Sequence, residues 1–190
     1  MGNRIQRFCA QLIPPRKYIL LAGVEGSGKT TVLFGPRLKP GWEQHHIEPT
    51  LGYNYEELRI DNNLLAVFDT PGKESLYPIV KSLTDNIYFG AIVFVFSISK
   101  EPMKYIEAKR KIRFLASEPS LKQCALAVIA NISIDIEAQF KQVPFLTRAL
   151  GLDELKSIDA QKKKLFVFDA KYSPKETEKV WRWIADTLDE

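Results

Sequence analysis

The chain has 190 residues, 45% of them hydrophobic and 26% charged, which suits one folded domain and excludes a disordered chain. A net charge of +4 is too mild to imply a nucleic-acid-binding face. Four bases, Arg4, Arg7, Arg16 and Lys17, stand in the first 17 residues without an acid, and the rest balances at 23 bases against 23 acids.

Cys9 and Cys124 are the only cysteines, too few for a disulfide framework. No apolar run approaches the roughly 20 residues that span a bilayer, and the N-terminus lacks the apolar stretch of a signal peptide. A cytoplasmic, monomeric protein with no nucleic-acid partner is expected, unless something tethers it.

In chain order, Ile5, Phe8, Cys9, Leu12 and Ile13 share one face of a helix over 3–13, which Pro14-Pro15 ends. Tyr18–Ala22 is a short buried strand. After the loop that follows it, a short helix is interrupted at Gly35-Pro36. Strands over 53–60 and 64–68 flank Asp61-Asn62-Asn63, residues suited to a tight hairpin. Further strands are expected at 91–98, 126–130 and 165–168. Helices are expected at 101–117 after a Ser99 cap, at 136–150 ending at Gly151, and at 174–188. Strands alternating with helices predict an α/β fold with a mostly parallel sheet and one early hairpin. The basic clusters Lys109-Arg110-Lys111 with Arg113, and Lys162–Lys164, have acids close by in sequence and read as solvated faces.

Gly23-Val24-Glu25-Gly26-Ser27-Gly28-Lys29-Thr30 fits G-x-x-x-x-G-K-[ST], after a strand and before a helix. The backbone of Gly23, Glu25, Gly26, Ser27, Gly28, Lys29, Thr30 and Thr31 would wrap phosphate oxygens at a helix N-terminus. Lys29 would reach the β- and γ-phosphates and Thr30 would offer its hydroxyl to Mg²⁺. Downstream, Asp69-Thr70-Pro71-Gly72 ends a strand. There Asp69 can hold Mg²⁺ through water and the Gly72 N–H can meet a γ-phosphate. The pattern defines a P-loop NTPase.

The order of these residues resembles the Arf and Arf-like small GTPases over nearly the whole chain. Met1-Gly2-Asn3 with its amphipathic helix looks like the family's membrane-switch helix. Pro49-Thr50-Leu51-Gly52-Tyr53-Asn54 is similar to its switch I, where the threonine binds Mg²⁺. The Asp61–Asn63 hairpin matches the interswitch, which in the family slides along the sheet and expels the N-terminal helix when GTP binds. Asp169-Ala170-Lys171 stands at the last guanine-contact loop, where the Ala170 and Lys171 backbones would meet the base. The resemblance implies a Ras-like six-stranded mixed sheet with one antiparallel edge hairpin and helices on both faces. It divides the chain into an N-terminal helix and hinge, 1–16, and a GTPase domain, 17–190. It implies GTP/GDP and Mg²⁺ as ligands. Exchange factor, GTPase-activating protein and effectors would meet the switch regions, and a membrane surface would meet the N-terminal helix in intracellular transport.

The departures are specific. Lys73 stands where the family has the water-orienting Gln, and an ammonium cannot both donate to and accept from water, so slow hydrolysis is expected. Asn131 matches the family's Asn-Lys-x-Asp, but Ile132 and Ile134 replace the Lys and Asp. Asp135 lies one position late, as a displaced base ligand or as an N-cap for a helix starting near Ile136. Pro71 before Gly72, within Asp-x-Pro-Gly-x-Glu-Ser-Leu, is closer to the beta subunit of the signal-recognition-particle receptor.

Gly2 is the family's myristoylation site, but Gln6 breaks the usual pattern. The helix face and four bases could supply the second signal that one acyl chain needs. Cys9 is either a palmitoylation site or an ordinary apolar helix residue. Three readings therefore stay open: a slow Arf-like switch on an intracellular membrane such as the Golgi, a pseudo-GTPase adaptor, or a P-loop protein relaxed toward another nucleotide.

Overall fold

The computed structural model describes residues 14–35, 52–73, 77–132 and 136–189. Gly2, Cys9, Thr50, Ile134, Asp135 and the N-terminal helix expected over 3–13 lie outside them. Among these described residues six strands form one sheet: β1 (Arg16–Gly23), β2 (Asn54–Ile60), β3 (Asn63–Asp69), β4 (Ala91–Ser97), β5 (Ala125–Asn131) and β6 (Lys163–Phe168). Their spatial order is β2-β3-β1-β4-β5-β6. Only β2 runs antiparallel, paired to β3 through the hairpin at Asp61; the other five strands are parallel.

Among the described residues, five α-helices cover the sheet: α1 (Lys29–Phe34), α2 (Tyr77–Asn86), α3 (Pro102–Ser117), α4 (Val143–Leu150) and α5 (Pro174–Thr187). Because side chains alternate along a strand, each central strand feeds two cores. Leu20, Phe94, Phe96 and Val128 pack with Val80, Ile112, Leu115 and Leu146 from α2, α3 and α4. Ile19, Leu21, Val93, Val95 and Ile129 pack on the other face with Val32, Val180, Trp181 and Ile184 from α1 and α5. The uninterrupted apolar run of β4 follows from burial on both faces. Among the described residues no helix is long and apolar enough to cross a membrane.

Three expectations need correction. The sequence reading places no helix between Gly72 and Ala91, yet α2 lies there. Pro78 sits in its first turn, where a missing N–H is tolerated, and Val80, Leu83 and Thr84 form its buried stripe. The single helix expected at 136–150 is instead a 3₁₀ turn, Ala138–Lys141, followed by α4. Pro144 forces that break, because its ring clashes with a carbonyl one turn back and helices avoid continuing into it. Gln142 is accordingly extended, and no helix starts at Ile136 for Asp135 to cap. Lastly, Ser99 does not cap α3; Glu101 holds that position, and the Ser99 hydroxyl accepts the Glu101 N–H at 3.0 Å in the preceding turn.

Trp181 is fully buried and donates its indole N–H to the Val32 carbonyl at 3.2 Å, fastening α5 to α1. Trp181→Ala is expected to lower the unfolding free energy in urea by about 3–5 kcal/mol. Trp181→Phe keeps a ring but loses the donor, and is expected to cost less. An alanine variant within about 1 kcal/mol of wild type contradicts this account.

Candidate functional site

Parallel strands end on the same side, so the carboxyl ends of β1, β3, β5 and β6 bring Gly23, Asp69, Asn131 and the 169–171 loop to one edge. Register fixes their relative heights: Leu21 stands opposite Asp69, Ser97 opposite Asn131, and Asn131 opposite Phe168. Open α/β sheets bind ligands along such an edge. The chain leaves β1 through Gly23–Gly28 and enters α1 at Lys29, the arrangement expected from the motif.

Gly28 caps α1 in the left-handed conformation, with φ 89°. A Cβ there would lie 2.6 Å from the Asn131 amide nitrogen, so both backbone and space require glycine. Asn131 earns its place through two bonds. Its Nδ2 donates to the Ser27 carbonyl at 2.9 Å, and its Oδ1 accepts the Ala170 N–H at 2.9 Å. One amide thereby ties the phosphate loop to β5 and to the loop after β6.

Lys29 is buried, and its ammonium donates to the Val24 carbonyl at 3.0 Å. Burial pulls its pKa below the ordinary lysine value; the Asp69 carboxylate opposes that, and the Lys111 charge adds to it. Asp69 is wholly buried. Its Oδ2 accepts the Thr30 hydroxyl at 3.1 Å, while its Oδ1 has no partner. Burial pushes the carboxyl up to about 6, against the pull of Lys29 and Thr30. The buried Ser27 hydroxyl is also unpartnered. Two orphaned oxygens beside a buried ammonium are what a site shaped for an absent ligand leaves behind. Thr31 follows on the first turn of α1, its carbonyl accepting the Gly35 N–H.

Gly72 presses against the phosphate loop: a Cβ on it would fall 2.5 Å from both N and Cα of Glu25. Lys73 reaches across as well, forming an ion pair with Glu25 at 3.4 Å, both side chains half exposed. On the base side, Ile132 donates its N–H to the Phe168 carbonyl at 3.0 Å and packs against the core. The Lys171 N–H is taken by the Asp169 carboxylate at 2.9 Å. With Ala170 bonded to Asn131, both backbone donors expected at the base have intramolecular acceptors in this arrangement.

One residue was missed. Lys111 does not belong to a solvated face: its side chain is 4% exposed, and it donates to the Gly72 carbonyl at 2.5 Å. Its neighbours Lys109 and Arg113 do pair at the surface, both with Glu154. The signal lay in helical spacing, since 111 shares a face with the buried Ala108, Ile112 and Leu115.

Residues 9–188 match the ADP-ribosylation factor family. ADP-ribosylation factor D of Dictyostelium discoideum is 32% identical over 138 residues, covering 73% of this chain and 60% of that protein. ADP-ribosylation factor-like protein 1 of Saccharomyces cerevisiae is 35% identical over 114 residues, 60% of this chain and 58% of that protein. The Caenorhabditis elegans protein of the same name is 32% identical and covered to 73% on both sides. The chain thus spans only about 60% of the length of the first two relatives. Among solved structures, the Arl6 BBS3 small GTPase of Trypanosoma brucei, with the nucleotide analogue GppNp bound, superposes with a TM-score of 0.76 at 20% identity. That match covers 92% of this chain and 98% of the other, and supports the same fold. On the family match and these relatives, the chain belongs to the ADP-ribosylation factor family.

Proposed function

We propose that the protein is a guanine-nucleotide switch that binds GTP or GDP with Mg²⁺ at Gly23–Thr30 and hydrolyses GTP slowly. The carrying observation is the unpartnered, buried Asp69 Oδ1 beside the Thr30 hydroxyl and the buried Lys29. These groups complement a metal-phosphate pair: Lys29 and loop N–H groups would hold phosphate oxygens, and Thr30 and Asp69 would hold Mg²⁺, Asp69 through water. Among the described residues no three His, Cys, Asp or Glu side chains gather as a metal cage. The ion would therefore take its remaining oxygens from phosphate and water, as Mg²⁺ commonly does. When bound, it would neutralise charge developing on the phosphates.

Slow turnover follows from Lys73, which cannot orient water as an amide does. Exposed Tyr53 and Tyr55 surround Phe68, with ring centroids 5.7 and 5.1 Å away. This aromatic surface beside the switches supports docking of effectors, with exchange factor and GTPase-activating protein on the same region. The four bases of the first 17 residues and the apolar spacing of Ile5, Phe8, Leu12 and Ile13 in the sequence support peripheral, reversible attachment to an intracellular membrane. A second reading, an adaptor without turnover, is favoured by the Lys73–Glu25 pair across the phosphate mouth and by Ile132 turned into the core.

Calorimetry in Mg²⁺ buffer is expected to show binding of both GDP and GTP. Lys29→Ala is expected to weaken it about tenfold or more, as loss of a charged hydrogen bond does. Absence of binding to either nucleotide sinks the switch and leaves the adaptor. Competition by ATP as effective as by GTP removes guanine selectivity from the proposal.

Asp69 gives a pH test on nucleotide-free protein in EDTA. A carboxyl held at about 6 when folded, against an ordinary 3.8, keeps its proton longer in the native state than in the unfolded chain. Stability therefore falls as pH rises from about 4 to about 6, by about 3 kcal/mol in all. Asp69→Asn is expected to stabilise the empty protein against urea at pH 7.5 and to do little near pH 4, while weakening Mg²⁺-nucleotide binding. Equal destabilisation at both pH values contradicts it.

A further inference from the structure

Lys111 is a lysine where a helix should present an apolar side chain. A buried ammonium is tolerated only when fully engaged, and this one has two partners. It donates to the Gly72 carbonyl at 2.5 Å and pairs with Glu107, one turn earlier on α3, at 2.8 Å. The accepting carbonyl belongs to the peptide joining Gly72 to Lys73. On the other side of Gly72, Pro71 has its φ fixed by its ring. Gly72 is thereby held from both flanks, and pressed against Glu25 so closely that no Cβ fits. Under the proposed function its N–H is the donor that would meet a terminal phosphate. The Lys73 side chain leaves from the same pinned peptide and meets Glu25.

We infer that Lys111 is a positioning residue for the γ-phosphate end of the site: it pins the Gly72–Lys73 peptide, so that preference for a triphosphate over a diphosphate is set from α3. This rests on the nucleotide-binding function proposed above. Among the described residues, the hydrogen-bond and ion-pair partners of Lys111 are Gly72 and Glu107, and it reaches Lys29 only through charge. Its removal should therefore act chiefly on the phosphate that Gly72 serves. A lysine that only filled the core would, when replaced, weaken both nucleotides alike.

The test is the affinity of the full chain for GDP and for a non-hydrolysable GTP analogue, both in Mg²⁺. Lys111→Met keeps an unbranched stem and removes the ammonium. It is expected to weaken the triphosphate analogue about tenfold, equivalent to about 1.4 kcal/mol, and to leave GDP within about twofold. Thermal melting confirms the fold. Lys111→Gln, which retains a neutral donor, carries the same comparison if the methionine variant does not fold, with a triphosphate-selective loss expected again. Equal weakening of both nucleotides, or no change in either, overturns the inference while leaving the proposed function standing. Wild-type protein that binds neither nucleotide overturns both.

Discussion

The burial of two opposite charges, Lys29 and Asp69, at one edge of the sheet is the constraint on which the rest of this molecule depends. Neither charge can be taken out of water without compensation, and compensation is incomplete in the protein alone: Asp69 keeps one oxygen unpartnered. The arrangement survives because the β1–β3 register sets Leu21 against Asp69 and delivers the carboxylate to Thr30. A register slip between β1 and β3 would turn Asp69 to the other face of the sheet. It would also carry Val67 and Phe68 out of their cores. The same apolar alternation that stabilises the sheet thus fixes a polar site that is costly in isolation. Stability is spent at one edge and recovered beneath it.

Helix α5 links that edge to the hairpin. Trp181 fastens it to α1 from inside the core; Leu58 and Leu65 of the hairpin strands share that core, whereas the polar contacts at the hairpin tip are on the surface. Arg182 pairs with Asp61 at 2.9 Å, and Asp189 accepts from Asn63 at 3.0 Å and from Lys17 at 2.5 Å. Exposed pairs of this kind are worth about 0.2–1 kcal/mol each, well below the burial of an indole ring. The pairs at the hairpin tip are therefore cheap to break, whereas the α1–α5 joint and the buried contacts with Leu58 and Leu65 are not. Sliding of the hairpin, which the family resemblance implies, would break surface pairs at its tip and leave the α1–α5 joint intact.

How much of this was legible in the sequence depended on the reach of each constraint. The phosphate loop, the hairpin at Asp61–Asn63 and the buried run of β4 were readable because each is written in a few consecutive residues. Helix α2 was obscured by Pro78, a residue that breaks helix interiors but suits a first turn. The break before α4 was written in Pro144 and passed over because the apolar periodicity on either side ran on. Asn131 could be recognised as part of a motif, but not as the tie between Ser27, 104 residues away, and Ala170. Lys111 was hidden for a related reason. Its letter signals solvent, and the partner that makes its burial tolerable lies 39 residues upstream.

Three ammonium groups, Lys29, Lys73 and Lys111, surround the phosphate mouth, and three carboxylates, Asp69, Glu25 and Glu107, balance them. The site is close to neutral without a ligand, so under the proposed function an arriving phosphate would compete with carboxylates for these cations. The three cations differ in how they are held. Lys29 is buried and donates to the Val24 carbonyl, with Asp69 acting on it through charge alone, and Lys111 is buried between the Gly72 carbonyl and Glu107. Lys73 and Glu25 are half exposed, and water can solvate Glu25 as soon as Lys73 leaves it. Under the proposed function, the residue that replaces the water-orienting amide is therefore the one freest to move when the terminal phosphate arrives. On that reading, lysine in place of the amide would remove a catalytic contact and supply a charge-sensing one, at the position where both partners are half exposed.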